Sequence, residues 1–209
     1  MITIVAELTT FDSYFSHMFL EPYIRQQRAG WIEVVCGCMF SGKTEELIRR
    51  LKRAKIANQR VEIFKPSTDV RYHETNIVSH DENYIPSTPV QHSEEILLLA
   101  GENEVVGIDE VQFFDLELPR VCDTLAEKGI RVIAAGLDMD YTGKPFGPMS
   151  NLLAKAEYAT KLHAICAVCG NLASYSFRKS DSTSQVLLGE KDVYEPRCRG
   201  CFVEGMKKS

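Results

Sequence analysis

One eight-residue motif constrains the fold of this chain more than any other feature of its sequence. Residues 37–44 read GCMFSGKT, which matches the G-x-x-x-x-G-K-[ST] pattern of a phosphate-binding loop. The two glycines of the motif let backbone N–H groups converge on phosphate oxygens. The lysine places a positive charge near the β- and γ-phosphates, and the threonine hydroxyl can ligate Mg²⁺. The predicted nucleotide contacts are Gly37, Cys38, Met39, Phe40, Ser41, Gly42, Lys43 and Thr44.

The segments on either side of the motif support this interpretation. Residues 31–36 are apolar and rich in β-branched side chains, which favours a buried strand, and residues 45–57 carry a helical stripe of apolar side chains. The alternative is a glycine turn with an incidental lysine. A strand, a loop and a helix in this order are the context that the motif requires, and the positive end of the helix dipole would face the phosphates. The sequence therefore predicts binding of ATP or GTP.

Composition and charge argue against several classes of protein. The chain has 209 residues, of which 44% are hydrophobic and 25% charged, as expected for a core domain with a small appendage. A formal net charge of −5 disfavours a protein that wraps nucleic acid. No apolar run approaches the ~20 residues that span a bilayer, and no basic region precedes an apolar stretch at the N-terminus. We therefore expect a cytoplasmic protein with neither a membrane nor a nucleic-acid partner.

Alternating strand and helix patterns predict an α/β fold. Apolar strand patterns recur at residues 61–65, 105–110 and 131–136, and a helical pattern covers residues 118–128. Strands that are apolar on both faces indicate a parallel sheet with helices on both sides.

The chain divides into three predicted parts. Residues 1–30 form an N-terminal extension to which the sequence assigns no role, residues 31–160 form the ATP-binding α/β domain, and residues 161–209 form a C-terminal domain. Within the α/β domain, the polar residues 66–90 are predicted as a long loop or an irregular hairpin. Ser93 is predicted to cap a short helix.

Two acidic residues end the apolar run at residues 105–110. Phosphate-loop enzymes hold Mg²⁺ with an acid at the end of a neighbouring strand, so Asp109 is the predicted Mg²⁺ partner, together with Thr44. Glu110 is the predicted general base, which accepts the proton of the attacking hydroxyl. The alternative for Glu110 is a solvated acid that caps the next helix.

Four of the seven cysteines form two C-x-x-C pairs in the C-terminal part. Four thiolates bind Zn²⁺ tetrahedrally, and a two-residue spacer lets both sulfurs of a pair reach one ion at ~2.3 Å. With four protein ligands the zinc is predicted to be structural, and the alternative is a pair of redox dithiols or disulfides. Cys36, Cys38 and Cys122 lie in or beside apolar segments and are predicted to be buried. The predicted zinc ligands are Cys166, Cys169, Cys198 and Cys201.

The order of several motifs resembles one known family. The phosphate loop is followed by KPSTDVRY at residues 65–72, IDEVQFF at 108–114, GLD at 136–138 and KPFG at 144–147. Together with both cysteine pairs and Tyr194, this order resembles the zinc-containing thymidine kinases of bacteria, animals and large DNA viruses. The likeness runs from residue 31 to residue 203, and the DE-x-QFF run with four downstream cysteines is its most specific part.

The resemblance implies a RecA-like core with a small zinc-ribbon domain. It implies ATP- and Mg²⁺-dependent phosphorylation of the 5′-hydroxyl of thymidine, and of deoxyuridine, in nucleoside salvage. Glu110 is then the general base, and Asp109 and Gln112 join the ATP-binding set. On pattern alone, Phe113 is as well explained as a core aromatic as by stacking on substrate. The residues implied to contact the nucleoside are Met39, Asp69, Arg71, Phe113, Leu137, Tyr141, Phe146, Leu187, Leu188, Gly189 and Tyr194.

The family also carries a lasso loop between the two cysteine pairs, which here would run from Phe177 to Val193 and close over the base. The resemblance further implies a homotetramer that thymidine triphosphate inhibits. Two other classes stay open on the residues alone, a RecA-like ATPase that depends on nucleic acid and a zinc-stabilised module that binds ATP without chemistry. The net charge counts against the first, and the complete set of catalytic residues counts against the second.

Overall fold

The structure, a computed structural model, describes residues 30–67, 76–78, 84–180 and 193–207. The helices of these ranges are α1 Lys43–Ile56, α2 Glu95–Leu99, α3 Leu118–Glu127, α4 Met149–Lys155 and α5 Arg199–Met206. The main sheet contains β1 Trp31–Gly37, β2 Val61–Pro66, β5 Thr88–Val90, β6 Val105–Ile108, β7 Arg131–Gly136 and β8 Tyr158–Leu162. The other strands pair two by two, β3 Asn76–Val78 with β4 Tyr84–Pro86, β9 Ala164–Ile165 with β10 Leu172–Ala173, and β11 Tyr175–Arg178 with β12 Tyr194–Arg197.

The main sheet is parallel throughout, with the strand order β5-β2-β6-β7-β1-β8. Because all strands run in one direction, their carboxyl ends share one edge, where open α/β sheets bind their ligands. The strand that enters the phosphate loop, β1, and the strand that ends before Asp109, β6, are separated only by β7. The topology therefore brings the two main parts of the predicted site to the same edge.

Helices cover both faces of this sheet. On one face, Leu47 and Leu51 of α1 pack against apolar side chains of the central strands. On the other face, Ile96 of α2, Leu118 of α3 and Met149 of α4 belong to a second apolar cluster. All six residues of β7 are buried, as expected for a strand covered on both sides. The predicted α/β class with a parallel sheet flanked by helices is confirmed.

A buried ion group joins α1 to the sheet. Glu33 of β1 is fully buried and accepts hydrogen bonds from Arg50 Nη1 at 2.8 Å and from Arg131 Nε at 2.6 Å. Arg50 also donates to Glu46 Oε1 and to Thr160 Oγ1. Buried charges are tolerated when they are paired and hydrogen-bonded in this way. The group fixes the position of the helix whose first turn continues the phosphate loop.

Two strands of the sheet do not follow from the sequence pattern. β5 lies in the segment predicted as a loop or hairpin, which also contains the β3–β4 hairpin, and β8 crosses the boundary predicted after residue 160. Both are edge strands with several partly exposed side chains. The apolar run that identifies a two-sided buried strand is therefore missing from them.

The chain after β8 forms a small unit that we call the cysteine module, residues 163–180 and 193–207. It consists of β9 to β12 and α5, with a small aromatic cluster in which Tyr175 and Phe202 stack at 4.5 Å between ring centroids. Within the described ranges, none of the helices combines the length and the apolar character needed to cross a membrane.

Candidate active site

The predicted phosphate loop leaves β1 at the carboxyl edge of the sheet and enters α1. Gly37 and Gly42 have φ angles of +151° and +84°, which residues with a side chain rarely adopt. A Cβ at Gly37 would lie 2.4 Å from the carbonyl oxygen of Leu162. The backbone is thus bent at the two positions where the motif places glycine, and the N-terminus of α1 follows directly.

Two polar side chains of the loop are suited to bind an anion. Lys43 Nζ donates to the carbonyl oxygen of Cys38 at 2.8 Å. Ser41 Oγ is buried and has no hydrogen-bond partner in the part of the chain that the structure describes. Both groups can donate to phosphate oxygens. The loop therefore fits the triphosphate of a nucleotide.

The two predicted Mg²⁺ ligands lie side by side. Thr44 Oγ1, in the first turn of α1, donates to Asp109 Oδ2 at 3.4 Å, and Asp109 is buried. Mg²⁺ binds oxygen donors of this kind and retains several waters. The donor set therefore fits Mg²⁺, with Thr44 and Asp109 as the residues that would hold it.

Glu110 occupies a strained backbone position directly after the end of β6. Its φ and ψ angles of 50° and 41° lie in the left-handed region, which residues other than glycine rarely adopt. Its carboxylate accepts a hydrogen bond from the Gln112 side-chain amide. Within the described chain, the Glu110 side chain makes no capping hydrogen bond to the 3₁₀ turn Val111–Phe113 that follows. The geometry thus gives no support to the alternative of a helix-capping acid.

Gln112 connects the acid pair to the end of β7. Its Oε1 accepts a hydrogen bond from the backbone N–H of Leu137 at 2.8 Å, while its amide group donates to Glu110. A Cβ at Gly136 would lie 2.4 Å from Gln112 Oε1, and one at Gly147 would lie 2.3 Å from the Gln112 carbonyl oxygen. Both glycines are thus required by close packing around Gln112, and the fixed Gln112 side chain holds the Glu110 carboxylate in place.

Residues 137–148 form a wall beside Gln112. Asp140 Oδ1 accepts hydrogen bonds from the Thr142 N–H and hydroxyl at 2.9 and 2.7 Å, which folds this segment into a tight turn. The ring of Phe146 meets Phe113 edge to face, with 5.6 Å between centroids. Phe113 is only half-buried, so its ring is not enclosed in the core. A partly exposed aromatic ring at this edge is suited to pack against a ligand.

The cysteine module contacts the phosphate loop directly. The Met39 N–H donates to Ser176 Oγ on β11 at 3.0 Å. The Cys38 thiol donates to the carbonyl oxygen of Ala173 on β10 at 3.4 Å. The loop that is predicted to hold phosphate is therefore supported from both the sheet and the module.

Tyr141 and Tyr194, two predicted nucleoside contacts, meet around a buried arginine. Arg178 Cζ lies 3.6 Å from the centroid of the Tyr141 ring. Arg178 Nε and Nη2 donate to the Tyr194 hydroxyl oxygen at 3.2 and 2.5 Å. Arg178 is only 6% exposed. It joins a side chain of the α/β core to a side chain of the cysteine module.

The four predicted zinc ligands converge in the cysteine module. Their Sγ atoms all lie within 4.8 Å of one another, and Cys169 Sγ lies 3.6 Å from Cys198 Sγ. A tetrahedral ion with Zn–S bonds of ~2.3 Å needs S···S separations of ~3.8 Å, so the donor set fits zinc. All four cysteines are free thiols, which argues against the disulfide alternative. Burial opposes ionisation of the Cys166 thiol, but backbone N–H groups of Cys198, Cys169 and Val168 outweigh it and lower its pKa to about 6.

The other cysteines are buried, as predicted. Burial raises the pKa of Cys36 to about 11 and that of Cys122 to about 12. It also raises the pKa of Cys38. Neutral buried thiols behave as small apolar side chains.

Part of the predicted site lies outside the described residues. This applies to most of the predicted lasso loop and to Asp69, Arg71, Leu187, Leu188 and Gly189. The remaining predicted contacts come from the phosphate loop, the ends of β6 and β7, the wall at 137–148 and the cysteine module. Their individual roles stay predictions.

Ser176, Arg178 and an ion pair at the end of β7 were not predicted from the sequence. Asp138 Oδ2 lies 2.6 Å from Lys161 Nζ, whereas Asp138 Oδ1 is buried without a hydrogen-bond partner among the described residues. Asp138 follows an apolar strand as Asp109 does, and that signal could have found it. Ser176 and Arg178 stand in a short strand whose sequence carries no comparable signal.

Comparison with known proteins agrees with this geometry. A family model described as thymidine kinase matches residues 30–202. The chain belongs to the thymidine kinase family. Its relatives include the thymidine kinase of Rhodothermus sp. (strain ITI 518), which is 62% identical over 187 residues. The aligned residues make up 88% of this chain and 88% of the relative. The thymidine kinase of Porphyromonas gingivalis (strain W83) is 61% identical over 175 residues, covering 84% of this chain and 86% of the relative. That of Bacteroides fragilis (strain YCH46) is 58% identical over 192 residues, covering 91% of this chain and 96% of the relative.

Membership of the thymidine kinase family confirms the resemblance carried by the motifs. It also confirms the prediction that the chain is a kinase, and not an ATPase that depends on nucleic acid or a module without chemistry. The matched residues include both the α/β core and the four cysteines. The phosphate loop, the acid pair and the cysteine cluster therefore all lie within the residues that the family model matches.

Proposed function

We propose that this protein transfers the γ-phosphoryl group of ATP to the 5′-hydroxyl of thymidine, forming thymidine 5′-monophosphate for nucleoside salvage. One observation carries the proposal. The phosphate loop and the acid pair meet at one edge of the sheet, where Thr44 Oγ1 lies 3.4 Å from Asp109 Oδ2. Phosphoryl transfer depends mainly on positioning and charge neutralisation, which these groups can supply. The family match supports thymidine as the acceptor.

The phosphate loop is the proposed triphosphate site. Backbone N–H groups of residues 37–44 and the N-terminus of α1 would bind phosphate oxygens. Lys43 Nζ would exchange its contact with the Cys38 carbonyl oxygen for the β- and γ-phosphates. Mg²⁺ bound at Thr44 and Asp109 would offset negative charge on the phosphates.

Glu110 is the proposed general base. The 5′-oxygen of the nucleoside forms a bond to the γ-phosphorus, the bond from that phosphorus to the β–γ bridging oxygen breaks, and ADP leaves. The proton of the 5′-hydroxyl passes to a carboxylate oxygen of Glu110. Gln112, which accepts the Leu137 N–H, keeps that carboxylate in position. Asp69 and Arg71 are proposed to lie near the same reacting groups because they match the family motif.

Aromatic and apolar side chains form the proposed thymine site. Phe113 and Phe146 offer an edge-to-face pair, and the family motif adds the neighbouring side chains. A single methyl group in an apolar pocket is worth only about 1–3 kcal/mol. Deoxyuridine, which lacks the thymine methyl, is therefore also a proposed substrate. The further proposed nucleoside contacts are Met39, Leu137, Tyr141, Leu187, Leu188, Gly189 and Tyr194.

The cysteine module is proposed to hold one structural Zn²⁺, since four thiolates leave no position for a reacting ligand. Thymidine triphosphate carries both the base and a triphosphate, so it could occupy parts of both subsites and act as the feedback inhibitor. Leu98 and Leu99 on α2 and Leu116 before α3 are large exposed apolar side chains, which supports self-association into the proposed homotetramer. Sedimentation equilibrium would measure that assembly.

A panel of nucleosides tests the proposed function. The purified protein is given ATP and Mg²⁺ with thymidine, deoxyuridine, deoxycytidine or uridine, and the nucleotides formed are separated by ion exchange. We expect thymidine monophosphate, a smaller yield from deoxyuridine, and loss of both products when Mg²⁺ is omitted. Absence of thymidine monophosphate above the blank would overturn the proposal.

A further inference from the structure

Arg178, the buried arginine at the end of β11, takes no part in the proposed phosphoryl transfer. We propose that Arg178 is a positioning residue of the nucleoside site, which fixes Tyr141 and Tyr194 and directs the Tyr194 hydroxyl proton toward an acceptor oxygen of the nucleoside. This role rests on the proposed function, because both tyrosines are proposed nucleoside contacts.

The contact with Tyr141 fixes one side of the site. Arg178 Cζ lies 3.6 Å from the centroid of the Tyr141 ring, a distance at which the planar guanidinium lies in van der Waals contact with the ring face. Tyr141 belongs to the wall that follows β7, and Arg178 belongs to the cysteine module. The stacked pair therefore sets the position of the module against that wall.

The contact with Tyr194 fixes the direction of a hydrogen bond. Arg178 lies opposite Tyr194 in the β11–β12 pair, and its Nε and Nη2 both donate to the Tyr194 hydroxyl oxygen. A guanidinium can only donate, so the Tyr194 oxygen must act as an acceptor toward it. The hydroxyl proton of Tyr194 then points to a different acceptor. Tyr194 is 7% exposed, and no hydrogen bond from its hydroxyl to another group occurs among the described residues.

The Tyr194 hydroxyl, buried and oriented by Arg178, can donate a hydrogen bond to a bound ligand. Leaving such a donor unpaired is costly, and a ligand oxygen that accepts its proton removes that cost. Charge-assisted hydrogen bonds from Arg178 to the phenol oxygen also polarise the O–H group, which strengthens its donation. The nucleoside, with oxygens on both sugar and base, provides acceptors of this class.

The same strand pair contains a matched arginine that serves as a control. Arg197 Cζ lies 3.4 Å from the centroid of the Phe177 ring, and Arg197 Nε donates to Glu195 Oε1 at 2.7 Å. Arg197 thus also stacks on an aromatic ring of the module. Its ring and carboxylate partners are not proposed nucleoside contacts, so replacing Arg197 should leave the nucleoside site unchanged in a protein that keeps its zinc and its folded module.

The test compares Arg178→Met with Arg197→Met and the wild-type protein. Thymidine KM, ATP KM and kcat are measured for each, with zinc content and thermal midpoint as checks of folding. We expect Arg178→Met to raise the thymidine KM about 10- to 100-fold, the range for losing hydrogen bonds to a charged group, with ATP KM changed less than about twofold. Arg178→Lys should give an intermediate thymidine KM because it keeps the charge but cannot stack and donate in the same way. Arg197→Met should leave the thymidine KM within about twofold of the wild type.

A double-mutant cycle then tests whether Arg178 acts through Tyr194. In the Tyr194→Phe background, Arg178→Met should raise the thymidine KM several-fold less than it does in the wild-type background. An equal rise in both backgrounds, an unchanged thymidine KM, or an equal rise in ATP KM would overturn the proposal. If Arg178→Met fails to fold, Arg178→Lys in the same two backgrounds gives the same comparison. A wild-type protein without thymidine turnover would overturn the proposed function itself, whereas an active wild type with an unaffected Arg178→Met variant would overturn only the role of Arg178.

Discussion

The α/β core and the cysteine module are stabilised in different ways. The core buries two large apolar clusters on the two faces of a six-stranded sheet, and burial of apolar surface is the main favourable contribution to folding. Among its described residues, the module has one cluster of three buried aromatic side chains and a second of four small buried side chains, which includes Cys38 of the phosphate loop. It also carries the four convergent thiols. Units with so little apolar burial usually need a metal to fold. The phosphate loop and acid pair thus lie on the region with the large apolar clusters, whereas the proposed nucleoside contact Tyr194 lies on the region proposed to need zinc.

The two regions are nevertheless joined at the site. Ser176 and Ala173 of the module accept hydrogen bonds from the phosphate loop, and Arg178 of the module contacts Tyr141. Unfolding of the module should therefore lower phosphoryl-transfer activity, whereas substitution of a proposed catalytic residue should leave the module folded.

Loss of zinc should produce the largest effect, because it should unfold the module and leave the α/β core folded. Structural zinc contributes roughly 10–16 kcal/mol to the folding of zinc-finger peptides, so Cys169→Ser should unfold the module. We expect thymidine phosphorylation to fall by about 10²-fold or more, because the loop and nucleoside wall lose their support, while the circular dichroism of the core persists. Zinc content and turnover are measured together. Cys122→Ala, a core thiol variant, should keep one zinc per chain, and full activity of the Cys169→Ser variant without zinc would contradict this comparison.

Removal of the proposed base should have the next largest effect. Glu110→Gln keeps the shape of the side chain but cannot take up the 5′-hydroxyl proton, so kcat should fall by roughly 10²–10⁴-fold with thymidine binding largely kept. Steady-state kinetics and equilibrium dialysis measure the two quantities. Glu127→Gln, at an exposed position at the end of α3, should behave as the wild type. A Glu110→Gln variant with near-normal kcat would remove Glu110 from this role.

A cavity in the α/β core should lower the free energy of unfolding without changing the zinc content. Leu51 of α1 is fully buried against the sheet, so Leu51→Ala should lower the free energy of unfolding by about 2–5 kcal/mol. Urea unfolding followed by circular dichroism measures this change. Ile165→Ala removes a side chain that is 63% exposed on the module and should change the free energy by less than about 0.5 kcal/mol. Equal losses in the two variants would contradict the stabilising role assigned to the apolar cluster that contains Leu51.

The smallest predicted effect concerns the contact between the module and the loop. Ser176→Ala removes the acceptor of the Met39 N–H, a bond worth about 1 kcal/mol, so the ATP KM should rise about fivefold with kcat little changed. Ser174→Ala is the control, since Ser174 bonds His163 and not the loop. A fivefold rise in both variants would show that the effect is not specific to the loop contact.

Local sequence signals predict the parts of the site that depend on local geometry. The phosphate loop requires glycine at Gly37 and Gly42, and the structure bends the backbone at both positions. The two-residue spacing of the cysteines predicts that each pair can reach one ion, and the four thiols converge. Asp109 follows an apolar strand, and the parallel topology brings it beside Thr44.

Contacts between distant segments leave weaker signals. Ser93 is predicted to cap α2, but its hydroxyl donates to Asp115, which lies 22 residues away in the sequence. The edge strands β5 and β8 lack the apolar run of the central strands, and Arg178 resembles any strand arginine until its two tyrosine neighbours are known. In each of these cases the decisive partner is supplied by the tertiary fold and not by neighbouring residues.

The phosphate loop and the acid pair are proposed to form one phosphoryl-transfer centre. A crystal structure of the Glu110→Gln variant with thymidine, ATP and Mg²⁺ tests this claim most directly. We predict the 5′-oxygen about 3–3.5 Å from the γ-phosphorus and within hydrogen-bonding distance of the side chain at position 110, with the triphosphate in the loop at residues 37–44. A thymidine molecule bound with its 5′-oxygen turned away from the γ-phosphate, or a triphosphate bound outside that loop, would contradict the account.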